Sequence, residues 1–318
     1  MEKLAIEGGS PVRTKDPIVE TDYFTDEELN AVVDVMKSSR IRRGSLTLEY
    51  EKQIAEKLQV KHALAVTSGT TTLHIAMAAL GIGPGDEVIV TPYTFVASDT
   101  CVLEQNAIPI FADVDPVTLT LDPADVERKV TKRTKAIIPV SITGTPVNIE
   151  PIMDIAEKYN LYVVEDSAQS VGSMYHGRYE GRYGGTVGHI GSFSTVTGKI
   201  MSTGEGGFVV TNDDDLYDKM WGFMDFGRKK SQGPASKYHW NLPCTNYRGT
   251  EFQAAVGIQQ LKRLDYMNKK RTENAHYLND KLKDLPGIVL PPEVPYGERV
   301  FFYYVIRVIP EVLGTDML

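Results

Sequence analysis

The chain has 318 residues, 42% of them hydrophobic and 9% aromatic, enough to build a sizeable core in one large domain with an appendage. Its formal net charge of -8 argues against a nucleic-acid surface, which needs clustered Lys and Arg. The short basic runs at Arg40, Arg42, Arg43 and at Arg228, Lys229, Lys230 read as solvated faces or anion contacts. Two cysteines, Cys101 and Cys244, form neither a disulfide framework nor a metal knuckle. No apolar run approaches the ~20 residues that span a bilayer, and the first residues lack a signal-peptide pattern. A soluble, cytoplasmic protein with no membrane or nucleic-acid partner is expected.

Thr25 and Glu28 form a capping box, and Leu29, Val32, Val33 and Met36 follow at i, i+3, i+4 and i+7, which predicts an amphipathic helix. A second helix is expected through "LEYEKQIAEKL", ending before Val60. Short apolar runs then alternate with helical ones. Strands are expected at 62–66, 87–91, 108–113, 135–141 and 161–166, then in "IGSFST" and at 207–211. Helices are expected at 71–80, through "FVASDTCVLEQ", at 123–130 and at 149–159. The acids of "NDDDLYDK" (212–219) read as the first turn of a helix rather than a calcium loop. Near-continuous apolar strands separated by helices predict a mostly parallel α/β sheet of seven strands covered on both faces.

A helix-rich segment runs from about Phe252 to Leu285, and Pro286, Pro291, Pro292 and Pro295 mark a break. "VFFYYVIRVI" (300–309) then predicts a strand. The expected division is a large domain over 1–250, with an N-terminal helical arm, and the start of a smaller α/β domain over 251–318. A lone strand cannot bury both faces, so the smaller domain is expected to be truncated here.

In open α/β sheets ligands bind beyond the carboxyl ends of the strands. The residues there are Thr67-Ser68-Gly69-Thr70, then Pro92-Tyr93-Thr94-Phe95, Ser141, Glu165-Asp166 with Gln169, and Ser194 with Lys199. Thr67 to Thr70 lead into a helix and serve either as an ordinary cap or as an anion site. They form neither a Walker loop nor a G-x-G-x-x-G fingerprint. Asp166 caps a turn or partners a cation; Phe95 fills the core or stacks on a flat ligand. Lys199 stands among hydroxyls and glycines, with Glu205 the only carboxylate near it in sequence. A desolvated lysine has a lowered pKa and becomes a Schiff-base nucleophile. A lysine, a strand-end acid, an aromatic plate and a phosphate site together fit pyridoxal 5'-phosphate.

The stretches "AVTSGTTTLHIAMAALGIGPGDEVIVTPYTFVAS", "VVEDSAQSVGSMYHG", "FSTVTGKIMSTGEGGFVVTND" and "NYRGTEFQAAVGIQQLKRLD", in that order, resemble the DegT/StrS-type sugar aminotransferases, which are fold-type-I pyridoxal-phosphate enzymes. "GKIMSTGEGG" and "IEGGSPVR" lean toward the branch acting on keto-cyclitols and aminohydroxybenzoate precursors. The resemblance implies that Lys199 forms the internal aldimine and shuttles protons, and that Asp166 meets the pyridine nitrogen. It implies that Gln169 contacts the phenolic oxygen, that Gly69, Thr70 and Ser194 take the phosphate, and that Phe95 stacks on the ring. Asn246, with Arg248 as a looser match, would reach into the neighbouring subunit's site, which implies a homodimer. The reaction implied is amino transfer from glutamate or glutamine to a keto sugar or keto-cyclitol. The alternatives are a sugar dehydratase on the same scaffold, which would carry histidine in place of Lys199, and a non-catalytic regulatory relative. The stretch "SITGTP" departs from the family pattern at Ser141 and Thr143, as does Asn148. These departures put the acceptor in question.

Overall fold

A computed structural model describes residues 3, 5, 8–11, 24–228 and 244–314. Lys229 and Lys230, and part of the 6–13 stretch, lie outside them. Helices α1 (Asp26–Ser38) and α2 (Ser45–Leu58) lead into β1 (His62–Val66), α3 (Gly69–Ala79), β2 (Glu87–Val90), α4 (Ala97–Glu104) and β3 (Ile108–Phe111). Next come α5 (Pro123–Lys129), β4 (Thr134–Ile137), α6 (Ile149–Tyr159), β5 (Tyr162–Asp166) and β6 (Met174–Tyr175). The chain continues through β7 (Ile190–Ser194), β8 (Gly207–Thr211), α7 (Asp214–Met224) and the long α8 (Glu251–Leu282). Short pieces close it: β9 (Ile288–Val289), β10 (Gly297–Glu298), β11 (Arg307–Val308) and α9 (Pro310–Leu313).

Seven strands form one sheet in the order β1-β8-β7-β5-β4-β2-β3. The pairs β2–β3, β2–β4, β4–β5 and β5–β7 are parallel, while β8 runs antiparallel to both neighbours. Alternate residues along the strands enter different cores, the period-2 consequence of the pleat. Leu64, Val88, Val90, Val164 and Val209 pack with α3, α4 and α7. Ala63, Ala65, Phe193, Phe208 and Val210 pack with α2 and α8. Ile89, Ile137 and Val163 pack with α5 and α6. Both faces are therefore covered, which is why these strands read as unbroken apolar runs.

Two expectations are corrected. The helix at α1 forms, and the Thr25 N–H donates to the Glu28 carboxylate as the capping box requires (2.8 Å). Its apolar stripe does not face the core: Leu29, Val33 and Met36 are exposed. Glu28 and Val35 are buried instead, because Gln260 and Arg263 of α8 donate to the Glu28 carboxylate. The second correction concerns 300–309, where only Arg307–Val308 is strand, paired with β9. Phe301 takes a left-handed conformation (φ 46°), which breaks the extended pattern. The N–H groups of Val300 and Tyr303 donate to the carbonyls of Gly144 and Thr143, so a tight turn takes the bonds that a ladder would have taken.

One cross-tie fixes the helices behind the sheet. The buried Glu251 carboxylate, at the start of α8, accepts from the N–H groups of Gly44 (2.9 Å), Leu46 (3.0 Å) and Thr47 (2.8 Å), and from the Thr47 hydroxyl (2.7 Å). It thus caps α2, whose own N-cap is a glycine. Glu251→Ala is expected to destabilise the fold by about 2–4 kcal/mol, because several buried donors lose their acceptor together. Urea unfolding of the variant beside the parent measures this.

Candidate active site

A cleft of about 740 Å³ lies beyond the carboxyl ends of β1, β2, β4, β5 and β7. Gly69, Thr70, Phe95, Asp166, Gln169, Ser194 and Lys199 all line it. Chain topology brings them together: each follows or ends a parallel strand, except Lys199, which sits on the loop between β7 and β8.

On one wall, Ser68 caps α3 by accepting from the Thr71 N–H (3.1 Å). Among the described residues, the N–H groups of Gly69 and Thr70 have no protein acceptor, so the helix N-terminus stays open to an anion. The backbone of α3 also lies close against β7. A Cβ at position 69 would come within 2.6 Å of the Ser194 Cβ and 3.0 Å of its Oγ. Thr72 and Ser192 share a hydroxyl bond (2.6 Å) that ties the two elements together. Gly69→Ala is expected to cost about 1–3 kcal/mol of stability through overpacking and to weaken anion binding at this turn. Phosphate-dependent shifts in melting temperature, compared with the parent, check both effects.

Asp166 is buried at the end of β5. Its Oδ2 accepts from the Ser98 hydroxyl (2.7 Å), and its Oδ1 from the Ala168 N–H (3.1 Å). Burial pushes its carboxyl pKa up, while those two bonds and the charge of Lys199 pull it back. Lys199 follows Gly198 (φ 97°) and precedes Ile200 and Met201, both buried in the α2–α8 core. The loop is held by bonds from the N–H groups of Thr195 and Thr197 to the carbonyls of Gly206 and Gly204. Burial lowers the Lys199 ammonium pKa, and the charge of Asp166 opposes this. Gln169 is fixed through its Oε1, which accepts from the Thr143 N–H (2.8 Å) and leaves the amide nitrogen free to donate.

Phe95 lies on the cleft wall with 65% of its surface exposed, so a flat ligand has access to the ring. Asn246 lies outside the cleft of its own chain, its backbone paired antiparallel with that of Asp225, whose carboxylate accepts from Arg248. The departures at "SITGTP" divide. Thr143 lines the cleft, in a left-handed conformation (φ 58°). Ser141 is buried, and its N–H donates to the Asp166 carbonyl (3.0 Å). Asn148 stands at the N-cap position of α6 with no side-chain cap bond, and is absent from the cleft. Sequence reasoning missed Ser98, a residue of α4 with no mark in the sequence, and Phe302, Tyr303 and Val305, which form a wall of the cleft.

Pyridoxal phosphate brings a phosphate, a pyridine nitrogen and an aldehyde, and the residues present fit each. The open N–H groups of Gly69 and Thr70 with the Ser194 hydroxyl would hold the phosphate. Asp166 would face the nitrogen, and Lys199 the aldehyde. Among the described residues no group of His, Cys, Asp and Glu could hold a metal ion, and no helix is long and apolar enough to cross a membrane.

Fold and donor set together define a pyridoxal-phosphate-dependent aminotransferase. Residues 22–316 match the DegT/DnrJ/EryC1/StrS aminotransferase family, and the chain belongs to that family. It is 40% identical to GDP-perosamine synthase of Caulobacter vibrioides over 282 residues, covering 88% of this chain and 74% of that protein. The crystal structure of an aminotransferase from Psychrobacter cryohalolentis superposes with a TM-score of 0.87 at 36% identity, over 93% of this chain and 78% of that one. That of 3-amino-5-hydroxybenzoic acid synthase gives 0.84 at 30% identity, over 90% and 74%.

Proposed function

We propose that the protein moves an amino group from glutamate or glutamine to a keto sugar or keto-cyclitol. Lys199 is the amine that bonds the cofactor and then carries the protons. The meeting of Lys199, Asp166 and the open N-terminus of α3 in one cleft carries this reading. Pyridoxal phosphate supplies an aldehyde for the nitrogen and a ring that stabilises negative charge when its own nitrogen is protonated. Asp166 keeps that proton in place, and Ser98 orients the carboxylate. Lys199, its pKa lowered by burial, is suited to take up and return a proton. The hydroxyl side chains Tyr93, Thr143, Thr197 and Tyr303 line the cleft, which suits a polyhydroxylated acceptor. The relatives that make GDP-perosamine and 3-amino-5-hydroxybenzoic acid support the same class.

The division near residue 250, a cytoplasmic setting and a homodimer belong to this reading. Asn246 lies away from its own cleft, and Phe95 on the cleft wall is exposed beside exposed Val96, which supports a second copy contributing Asn246 there. Light scattering on the cofactor-loaded protein is expected to give twice the chain mass.

The functional test has two stages. Glutamate or glutamine is expected to bleach the visible band of the loaded protein, and a keto sugar to restore it while gaining nitrogen, as read by mass. A band that no amino acid bleaches would contradict the reading. A sugar that loses water and gains no nitrogen would favour a dehydratase.

A further inference from the structure

The segment after α8 enters the cleft at a point that the proposed chemistry leaves unassigned. The Lys199 Nζ lies over the ring of Phe302, 4.8 Å from its centroid. Phe302 is buried, and shares an apolar cluster with Val300 and with Ile200 and Met201, the residues that anchor the lysine loop. Its backbone is clamped from two sides. Arg271 of α8 donates to the Phe302 carbonyl (3.3 Å), and the N–H groups of Val300 and Tyr303 bond to Gly144 and Thr143. Gly144 (φ 88°) has no room for a side chain, because a Cβ there would come within 2.7 Å of the Phe302 nitrogen. The turn that clamps Phe302 is also the one whose Thr143 N–H fixes Gln169. Contacts that fix the backbone of Phe302 thus hold its ring beside a lysine distant in sequence.

We propose that Phe302 is a positioning residue for Lys199, its ring face being the resting place of the ammonium whenever the amine is free. This rests on Lys199 being the amine that bonds the cofactor. Such a lysine must be released, carry a proton and return to the same place. A four-carbon chain free to rotate would lose time and solvation energy doing so. The negative face of the ring attracts the cation without forming an ion pair that would hold it permanently. Asp166, at the end of β5, acts on the same ammonium by charge. Glu205, Tyr93 and Tyr303 line the same cleft, and Arg271 lies behind Phe302.

The test uses the full chain freed of cofactor, its lysines carrying 13C-methyl groups, with Lys199→Arg identifying the Lys199 signal by NMR. Phe302→Leu keeps apolar cover but removes the ring face, and is expected to lower the Lys199 pKa by about 0.4–1.5 units. Phe302→Tyr keeps the ring and is expected to hold the parent value. Phe302→Met carries the same expectation as leucine if the leucine variant does not fold. An unchanged or raised pKa in the leucine or methionine variant would overturn the proposal, as would an equal fall in the tyrosine variant. Borohydride trapping of the cofactor is expected in all three variants. Its absence from the parent would count against the role of Lys199 itself, and the pKa comparison would still judge the contact with Phe302.

Discussion

Asp166→Asn is expected to lower kcat by about 10²–10³-fold while leaving the fold intact, the scale of losing one preorganised electrostatic partner. Asparagine is nearly isosteric: its oxygen can still accept from the Ala168 N–H, and its amide nitrogen can donate to the Ser98 hydroxyl, which accepts as well as donates, so the backbone has no reason to move. What it lacks is the negative charge that keeps a proton on the cofactor's ring nitrogen. The same substitution should have an opposite effect on the cofactor-free protein. Burial raises the folded-state pKa of Asp166 above its unfolded value. Its contribution to stability is therefore full below the unfolded pKa and lost as the pH rises through the folded one. The cofactor-free asparagine variant should melt no lower than the parent at neutral pH, and cofactor should raise its melting temperature less. Melting curves with and without cofactor, beside steady-state rates, separate these effects. A variant with near-parent kcat would remove Asp166 from the chemistry.

Lys199→Ala is expected to abolish the covalent attachment and to lower the rate of amino transfer by at least about 10²–10⁴-fold, the range for a positioned general acid/base. Binding should survive in weaker form, since Gly69, Thr70, Ser194 and Asp166 are untouched. The shortened side chain leaves room near Phe302, so added methylamine should recover part of the proton-transfer rate. Full retention of activity would assign the amine to another lysine.

Much of this site was readable from residue order. Buried parallel strands write themselves as apolar runs, and their carboxyl ends must share one rim. Gly69, Asp166 and Ser194 could therefore be grouped before any coordinates. Lys199 stood out because its surroundings offered no solvated ion pair. Residues whose role depends on a distant partner were not readable. Ser98 matters only because α4 packs under β5, and nothing in "FVASDT" says so. Phe302 sat in a run with strand character, yet Phe301 turns left-handed and the turn at Thr143–Gly144 captures the backbone. The stripe on α1 followed helical spacing correctly, but the Glu28 bonds to Gln260 and Arg263 decided which face turned inward. In each case a tertiary contact more than a hundred residues away, or a single dihedral, outweighed the local pattern, except at Ser98, whose partner is 68 positions on.

Borohydride reduction of the cofactor-loaded protein, followed by proteolysis and mass mapping, addresses the central claim most directly. The account predicts one reduced cofactor per chain, carried on Lys199 within the loop that ends at Gly206. A tag on any other lysine, or no tag on a chain that has demonstrably bound pyridoxal phosphate, would contradict it.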